Sequence, residues 1–308
     1  MPEVSVVIVC MDRMDNLYPC LESIYRHTRI PIETFVVAYM FTPEHLAKVR
    51  EDFPMVTFVE SGELRGFSEN NNLALRLSKG RYCFVLNDDT ELRMDTIDRL
   101  VHDFDVLPSS TAIVTPSLVN SDGTLQLCGR PEYPPFKYAL QQWHLYSEPI
   151  DIRLVEPPFT GSIYKSFNIS GAAFLIRTDV FRELGWFDER YYFTPEDIAL
   201  STLARRKGYD IYVDAGAEVV HKWRTTASRI SPAVRPAAVR GSLIFFSESD
   251  SLRYFLLAIA VWSAEFVKYV KALIQGRTLD SRTYRNNIRS IFTRRSPKEI
   301  FIKYYNEL

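Results

Sequence analysis

The stretch Tyr82-Cys83-Phe84-Val85-Leu86-Asn87-Asp88-Asp89 joins five apolar residues to three polar ones. The apolar part predicts a buried strand, and polar groups at the end of such a strand face the crevice where open α/β sheets bind ligands. Alternation along an extended chain puts the first and third polar residues on one side and the middle one on the other. That spacing suits a hard divalent cation which also grips a substrate phosphate. The alternative is a plain polar turn, with Thr90 and Asp95 capping the next helix.

Strands and helices alternate on both sides of this stretch. Apolar runs predict strands at residues 4–9, 35–37, 56–59, 82–86, 112–114 and 173–177, and near residues 211 and 219. Helical spacing of apolar residues predicts a helix capped by Asp15 or Asn16, another that ends at Gly80, and further helices over residues 46–53, 97–104, 179–184 and 197–207. This order predicts an α/β fold with a mostly parallel sheet flanked by helices.

Two segments depart from the alternation. Residues 129–166 are rich in Pro, Tyr, Phe and Trp, and we interpret them as an irregular binding or lid segment. The tail, from about Val239, is predicted to be helical, and its apolar run over residues 254–264 is too short to span a bilayer. Residues 265–308 then carry ten Lys and Arg against four Asp and Glu, a net charge of +6. The tail therefore predicts either a peripheral contact with an anionic membrane or packing on protein.

Composition narrows the classes of protein. The 308-residue chain has a formal net charge of −1, so overall charge does not favour nucleic acid as a partner. The four cysteines lack metal-ligand spacing, and buried, reduced thiols fit a reducing cytosol. Pro2-Glu3 leads straight into the first strand without the pattern of a secretory signal. We expect a cytoplasmic protein that contacts the cytoplasmic face of a membrane at most peripherally.

Three further motifs carry chemistry. Glu196-Asp197 opens a predicted helix, where acidic residues are also common simply because they complement the helix dipole. His221 follows the apolar pair Val219-Val220, and a lone histidine there is more often structural than a ligand. A basic loop follows, containing Lys222, Arg224 and Arg229. Together the motifs fit transfer from a nucleotide-diphosphate sugar, with Asp89 and His221 binding a metal and Asp197 acting as a base.

The ordered motifs resemble the inverting glycosyltransferases of family 2, which have a GT-A fold, and more narrowly their rhamnosyltransferase-like branch. The resemblance covers roughly residues 4–223. It rests on the opening strand and helix (residues 6–13 and 20–24), Gly66-Phe67-Ser68-Glu69-Asn70-Asn71-Asn72, Asn87-Asp88-Asp89 at the DxD position, Pro116-Ser117-Leu118-Val119 with Asp122-Gly123-Thr124-Leu125-Gln126, Ser170-Gly171-Ala172-Ala173-Phe174, Gly185-Trp186-Phe187-Asp188-Glu189, Glu196-Asp197, Arg205-Arg206-Lys207-Gly208-Tyr209 and His221.

The resemblance implies a role for each matching residue. It implies Mg²⁺ or Mn²⁺ as cofactor, a nucleotide-sugar donor, and a saccharide or lipid-linked glycan as acceptor. The resemblance implies that Asp89 and His221 bind the metal. It implies that Asp197 is the general base and that Glu196 orients the acceptor. The residues implied to bind the donor are Cys10, Asp12, Arg65, Asn72, Asn87, Asp88, Lys222 and Arg224, and those implied to lie on the acceptor side are Gly171, Ala172 and Trp186. The implied enzyme is an inverting transferase of the hexosyltransferase type, for which UDP- or dTDP-sugars are the favoured donors.

The chain also departs from the family pattern. Ala38 stands where the family often has an Asp that contacts the base, so base recognition is altered. Asn87 replaces the first Asp of the DxD motif, and Ala199 stands where another Asp often follows the base. We expect a GT-A catalytic domain over residues 1–235, with a nucleotide-sugar half (1–90) and an acceptor half (91–235), followed by a helical extension over residues 236–308.

Two other functions remain open from the sequence. A sugar nucleotidyltransferase also uses a Rossmann-like sheet and a metal, but residues 10–16 lack the glycines of its phosphate loop. A catalytically inactive carbohydrate-binding homologue should have lost a base or a metal ligand, whereas Asp89, Asp197 and His221 are all present.

Overall fold

The computed structural model describes residues 1–126, 128–147, 158–222 and 230–308. Within them lie ten strands: β1 (Val4–Cys10), β2 (Ile32–Tyr39), β3 (Val56–Ser61), β4 (Tyr82–Asn87), β5 (Thr90–Leu92), β6 (Thr111–Val119), β7 (Pro158–Thr160), β8 (Ile163–Lys165), β9 (Ala173–Arg177) and β10 (Asp210–His221). The same residues contain eleven helices: α1 (Met14–His27), α2 (Pro43–Asp52), α3 (Phe67–Leu75), α4 (Thr96–Val106), α5 (Pro135–Gln142), α6 (Thr178–Glu183), α7 (Glu196–Arg206), α8 (Ser231–Ser247), α9 (Ser251–Ile274), α10 (Thr278–Ile291) and α11 (Pro297–Tyr305).

All ten strands belong to one mixed sheet. Its order is β3-β2-β1-β4-β9-β6-β10-β8-β7, and β5 pairs with β10 off this path. β1 to β4 are mutually parallel, and β6 is parallel to β10. β9 runs antiparallel between β4 and β6. The predicted Rossmann-like, mostly parallel mixed sheet is therefore confirmed.

Helices cover both faces of the sheet because side chains alternate along each strand. In β1, Val4, Val6 and Ile8 face α1, α2 and α4, whereas Val7 faces α3, α6 and α7. The apolar stripe predicted from Leu17 onward is fully buried in the first of these layers. The sheet is thus the middle of a three-layer sandwich, which fixes the edge where its parallel strands end.

The C-terminal helices pack onto this sandwich through two further apolar clusters. One joins Tyr138 of α5 and Ile198 of α7 to α8, α9 and α10. The other joins Tyr192 to α8 and to Phe301 of α11. In the part of the chain that the structure describes, no helix combines the length and apolar character needed to cross a bilayer.

Several local predictions were wrong. α1 begins at Met14, so neither Asp15 nor Asn16 caps it. α3 ends at Leu75, and Gly80 is not its cap. A Cβ at Gly80 would lie 2.5 Å from the backbone nitrogen of Ser5, so this glycine permits a close approach to β1.

The remaining differences between the predicted and observed elements come from contacts between residues far apart in the sequence. Thr90 caps no helix but begins β5, and Asp95 precedes α4 without a side-chain capping bond. The two strands predicted near residues 211 and 219 form one strand, β10, with an irregularity between Asp214 and Glu218. The segment 129–166 is not wholly irregular, since its described part holds α5 and the two short strands β7 and β8. The four cysteines are free and buried, as expected.

Candidate active site

The carboxyl ends of β1 to β4 meet at one edge of the sheet. Cys10 pairs with Ala38, and Val9 pairs with Asn87, so the last residues of three neighbouring strands lie side by side. Polar residues that follow these ends are therefore brought together although they are far apart in sequence. This edge is the place where open α/β sheets bind ligands.

A short antiparallel pairing brings His221 to the acidic triplet. Thr90 of β5 pairs with His221 of β10, and the backbone N–H of Lys222 donates to the carbonyl of Asp89 at 2.9 Å. Asp89 Oδ1 lies 3.3 Å from His221 Nε2, and both residues are buried. Asp88 faces β1 instead, where its carboxyl interacts with Cys10.

Gln126 fixes which nitrogen of His221 faces Asp89. Its Nε2 donates to the His221 carbonyl at 2.6 Å and to Asn120 Oδ1 at 2.7 Å. Its Oε1 must therefore be the atom that lies 2.8 Å from His221 Nδ1 and accepts from it. With Nδ1 as donor, a neutral imidazole directs the lone pair of Nε2 at the carboxylate of Asp89. Two lone pairs that converge in this way are stabilised by a cation between them.

The donor set fits a divalent ion that shares its other ligands with substrate. Two atoms bound at right angles to one Mg²⁺ or Mn²⁺ lie about 3 Å apart, because each bond is about 2.1 Å long. The 3.3 Å spacing of Asp89 Oδ1 and His221 Nε2 is close to that value. Among the described residues, no three His, Cys, Asp or Glu side chains gather as a complete metal site. A cation here accordingly needs water and phosphate oxygens as well, which is the usual manner of Mg²⁺.

Asp197 lies in the first turn of α7, with its side chain 13% exposed. Its Oδ1 accepts the backbone N–H of Ile198 at 2.8 Å, and its Oδ2 accepts that of Gly171 at 3.3 Å. The Arg130 guanidinium lies 3.8 Å from the same Oδ2. These contacts hold the carboxylate in a fixed orientation, as a base requires.

Glu196 is the chemically different member of the pair. It is 7% exposed, and its Oε2 contacts no hydrogen-bond partner among the described residues. Burial, followed by the neighbouring charge of Asp197, holds the pKa of Glu196 well above its ordinary value. Burial therefore favours the protonated form of this carboxyl, which can donate a hydrogen bond, whereas Asp197 has the geometry of an acceptor.

Two consecutive residues connect Asp197 to the triplet Asn87-Asp88-Asp89. The Ala172 carbonyl accepts the backbone N–H of Asn87 at 2.9 Å, while the preceding Gly171 donates to Asp197. A Cβ at Gly171 would lie 3.7 Å from the Asp197 Cβ and 3.8 Å from Glu196 Oε1. Asp197 and the strand end at Asn87 are thus held on either side of a single dipeptide.

The donor side of the edge contains the other predicted residues. Asp12 adopts a φ of 51° and its Oδ1 lies 2.8 Å from His45 Nδ1. Arg65 bonds Ser61 at 3.3 Å and its backbone N–H donates to the Tyr39 hydroxyl, so it lies over the ends of β2 and β3. Burial raises the pKa of Asp88 to about 7, and the Asp89 charge adds to the rise.

Four of the predicted residues make other contacts or lie outside the described residues. Asn72 is fully buried, and its amide bonds the Phe187 carbonyl and Glu189 at 2.9 and 2.8 Å, so it holds a loop rather than facing the edge. Trp186 packs on Phe181 and lines a cleft along the outer side of α7. Lys222 forms an ion pair with Glu91 beside the Asp89–His221 pair. Arg224 lies outside the described residues, as does Arg229.

Sequence reasoning missed Gln126 and Arg130 as functional residues. Gln126 lay in a motif already recognised, but its role depends on the fold of residues 120–126 against β10. Arg130 lies in the segment interpreted as a lid, and a bridge to Asn168 places it beside α7. Only the fold brings either residue to the site.

Comparison with known proteins identifies the family of the chain. A family model described as "Glycosyltransferase like family 2" matches residues 2–238. The chain belongs to this family. It is 24% identical over 250 residues to the O-antigen biosynthesis protein RfbC of Myxococcus xanthus, a match that covers 77% of this chain and only 18% of that protein.

Two solved structures share the fold. GalNAc-T7 with UDP, GalNAc and Mn²⁺ has a TM-score of 0.60 at 17% identity, with 100% of this chain and 56% of that one covered. The mannosyltransferase PcManGT of Pyrobaculum calidifontis, with GDP-Man and Mn²⁺, has a TM-score of 0.54 at 15% identity, with 99% and 86% covered. The GT-A type of fold predicted from the motifs is therefore confirmed.

Proposed function

We propose that the protein is a metal-dependent, inverting glycosyltransferase. It moves a hexosyl group from a nucleotide-diphosphate donor to a hydroxyl of a saccharide or of a lipid-linked glycan. The observation that carries the proposal is the dipeptide Gly171-Ala172, which contacts the base Asp197 on one side and the donor-binding strand end at Asn87 on the other. A donor sugar between them would have its anomeric carbon within reach of a hydroxyl activated by Asp197.

The reaction is a single displacement. As the acceptor oxygen forms its bond to the anomeric carbon, its proton passes to Asp197 and the bond to the diphosphate oxygen breaks. Protonated Glu196 donates a hydrogen bond that orients the acceptor. Attack from the side opposite the leaving group gives inversion of configuration.

Asp89 and His221 would hold a Mg²⁺ or Mn²⁺ ion, which would supply positive charge against the charge that develops on the leaving diphosphate. Lys222 lies beside the same pair and contributes positive charge there. Because burial raises its pKa to about 7, Asp88 keeps a proton to higher pH than a free carboxyl, and in that form it would donate to the donor's ribose or sugar, next to Asn87.

The last part of the proposal concerns the nucleotide base of the donor. Ala38 lies in register with Cys10 at the strand edge and offers no carboxylate to a base. The two structural neighbours carry UDP and GDP respectively. We keep UDP- or dTDP-sugars as the proposed donors, with Cys10, Asp12 and Arg65 around the nucleotide. A cytoplasmic location, where such donors are made, and the division of the chain at residue 235 belong to the same proposal.

The test is Asp197→Asn, with Asp179→Asn as the matched control. Asp179 also lies in the first turn of a helix, accepts the next backbone N–H at 2.9 Å and pairs with an arginine, but it is remote from the site. Nucleoside diphosphate release from a panel of UDP-, dTDP- and GDP-sugars is measured with Mn²⁺. We expect Asp197→Asn to lower turnover by about 10²- to 10⁴-fold, with donor-induced thermal shifts unchanged.

Turnover retained by Asp197→Asn would remove Asp197 as the base. An inactive carbohydrate-binding homologue is the remaining alternative, and it predicts no release by the unaltered protein. A nucleotidyltransferase predicts pyrophosphate release when the unaltered protein is given a nucleoside triphosphate and a sugar phosphate instead of a nucleotide sugar.

A further inference from the structure

One side of α9 is apolar and exposed to solvent along its whole length. The opposite side is buried against α8 and α10 through residues such as Leu257, Val261 and Ala264. The exposed side chains recur three and four residues apart and are 38–81% accessible: Leu252, Phe255, Leu256, Ile259, Phe266, Val267, Val270, Leu273 and Ile274. At 1.5 Å per residue this row is about 33 Å long. Soluble proteins rarely leave such a row uncovered.

The end of α5 extends this row sideways. Trp143 Nε1 donates to the carbonyl of Ala260 at 3.1 Å, which fixes α5 alongside α9. Phe136, Leu140 and Leu145 are exposed on the same short segment. We call these α5 side chains, Trp143 and the row on α9 together the α5–α9 face.

Cations border the face at both of its ends. Lys271 and Arg277 are exposed where α9 ends. At the other end, Phe292 lies beside Phe255 with ring centroids 6.4 Å apart, and the exposed Arg294 and Arg295 follow it. Apolar and aromatic side chains bordered by cations match the interface of an anionic bilayer, where lipid tails meet negative headgroups.

We propose that the α5–α9 face is a monotopic membrane contact, with α9 lying in the plane of an anionic bilayer surface. A second copy of this chain is the competing occupant of the face. Two copies joined about a twofold axis would place cationic borders of equal sign near one another, whereas acidic headgroups neutralise them.

The membrane contact also indicates the class of the acceptor, an inference that rests on the proposed function. A cavity of about 680 Å³ is lined by Asp197 and Arg130 on the catalytic side and by Arg235 and Lys268 on α8 and α9. His144 and Gln142 complete one wall, directly next to Trp143 of the α5–α9 face. The cavity that contains the base therefore lies beside the membrane surface. There it would receive a glycan whose anchor stays in the bilayer and whose linking phosphate meets the cations.

The experiment is co-sedimentation with vesicles, performed without donor or acceptor. We compare vesicles of phosphatidylcholine alone with vesicles that also contain phosphatidylglycerol. The full chain is tested alongside the double variant Leu256→Glu with Phe266→Glu, and a matched control changes the exposed Met55 and Leu77 of the catalytic domain to Glu. Circular dichroism confirms that each variant is folded.

We expect binding to the phosphatidylglycerol vesicles, weakened at least about tenfold by the double variant because two side chains no longer enter the bilayer. The control variant should bind as the unaltered protein does. Absence of binding, or equal binding by the α9 variant, would overturn the proposal. So would a stable dimer in solution that the α9 variant dissociates, since a second copy would then cover the face.

Because sedimentation does not depend on turnover, its result is independent of the Asp197→Asn experiment. If the membrane contact holds and the acceptor inference is right, the α9 variant loses transfer to a lipid-linked acceptor in vesicles but retains nucleotide-sugar hydrolysis in solution. Loss of hydrolysis as well would refute the acceptor inference.

Discussion

Replacing Gln126 with Met tests whether the amide sets the chemistry of His221. The two side chains have similar volumes, so the change removes polar contacts without leaving a large void. The amide makes three short contacts: 2.8 Å to His221 Nδ1, 2.6 Å to the His221 carbonyl and 2.7 Å to Asn120 Oδ1. Without it, Nδ1 has no acceptor and either ring nitrogen can carry the proton.

The expected loss has two parts. Mutation of the groups that orient a metal-binding histidine usually costs about 10- to 100-fold in metal affinity, which is about 1.4 to 2.8 kcal/mol. Separately, the buried His221 carbonyl loses a donor, which destabilises the fold by about 1–3 kcal/mol, whereas the partly exposed Asn120 Oδ1 can bind water instead. The first effect should disappear at saturating metal and the second should not.

The assay is a Mn²⁺ titration of nucleoside diphosphate release, with urea denaturation of the same samples. Gln126→Met should shift the Mn²⁺ midpoint upward by about 10- to 100-fold and recover most of its turnover at high Mn²⁺. Gln275→Met is the control, because Gln275 is exposed at the end of α9. An unshifted Mn²⁺ midpoint, together with lowered stability, would mean that Gln126 is only structural and that the histidine argument is wrong.

Two further predictions concern the fold. Burial, with the nearby Asp214 charge, raises the pKa of Asp103 from 3.8 to about 7. Because the native state then binds a proton that the unfolded state has lost, the free energy of unfolding falls as pH rises between about 4 and 7, by at most about 4 kcal/mol for 3 units. Asp103→Asn should flatten this fall when denaturation is measured across that pH range. An unchanged pH profile of the variant would contradict the prediction. A Cβ at Gly66 would lie 2.1 Å from the Tyr192 carbonyl oxygen, whereas a Cβ at Gly62 meets nothing within 4 Å. Gly66→Ala should therefore destabilise the fold by more than about 3 kcal/mol and Gly62→Ala by less than about 1 kcal/mol. Equal urea midpoints for the two variants would refute the clash.

The sequence predicts those parts of the fold that depend on local pattern. The run from Tyr82 to Leu86 is apolar on both sides of a strand, and its structure follows the pattern closely. The caps were less predictable, since α1 begins at Met14 although Asp15 is a better capping residue. There, the packing of the helix on the sheet outweighs a preference worth about 1 kcal/mol.

The site depends more strongly on tertiary structure. Nothing local distinguishes Thr90 at the start of a three-residue strand from Thr90 as a helix cap, because β5 exists only through its pairing with β10. That pairing alone brings His221 to Asp89. The family motifs include both residues, but the two are close together because β5 and β10 pair through three residues each.

The same ladder explains why the two aspartates of the triplet differ. β5 begins directly after Asp89 and pairs with β10, so Asp89 lies beside β10. The carboxyl of Asp88 instead contacts Cys10 at the end of β1. Asp89 thereby gains a histidine whose lone pair favours a cation, and Asp88 gains burial that favours a proton. One strand end thus holds a carboxylate that faces an imidazole, next to a carboxyl that keeps its proton to higher pH than usual.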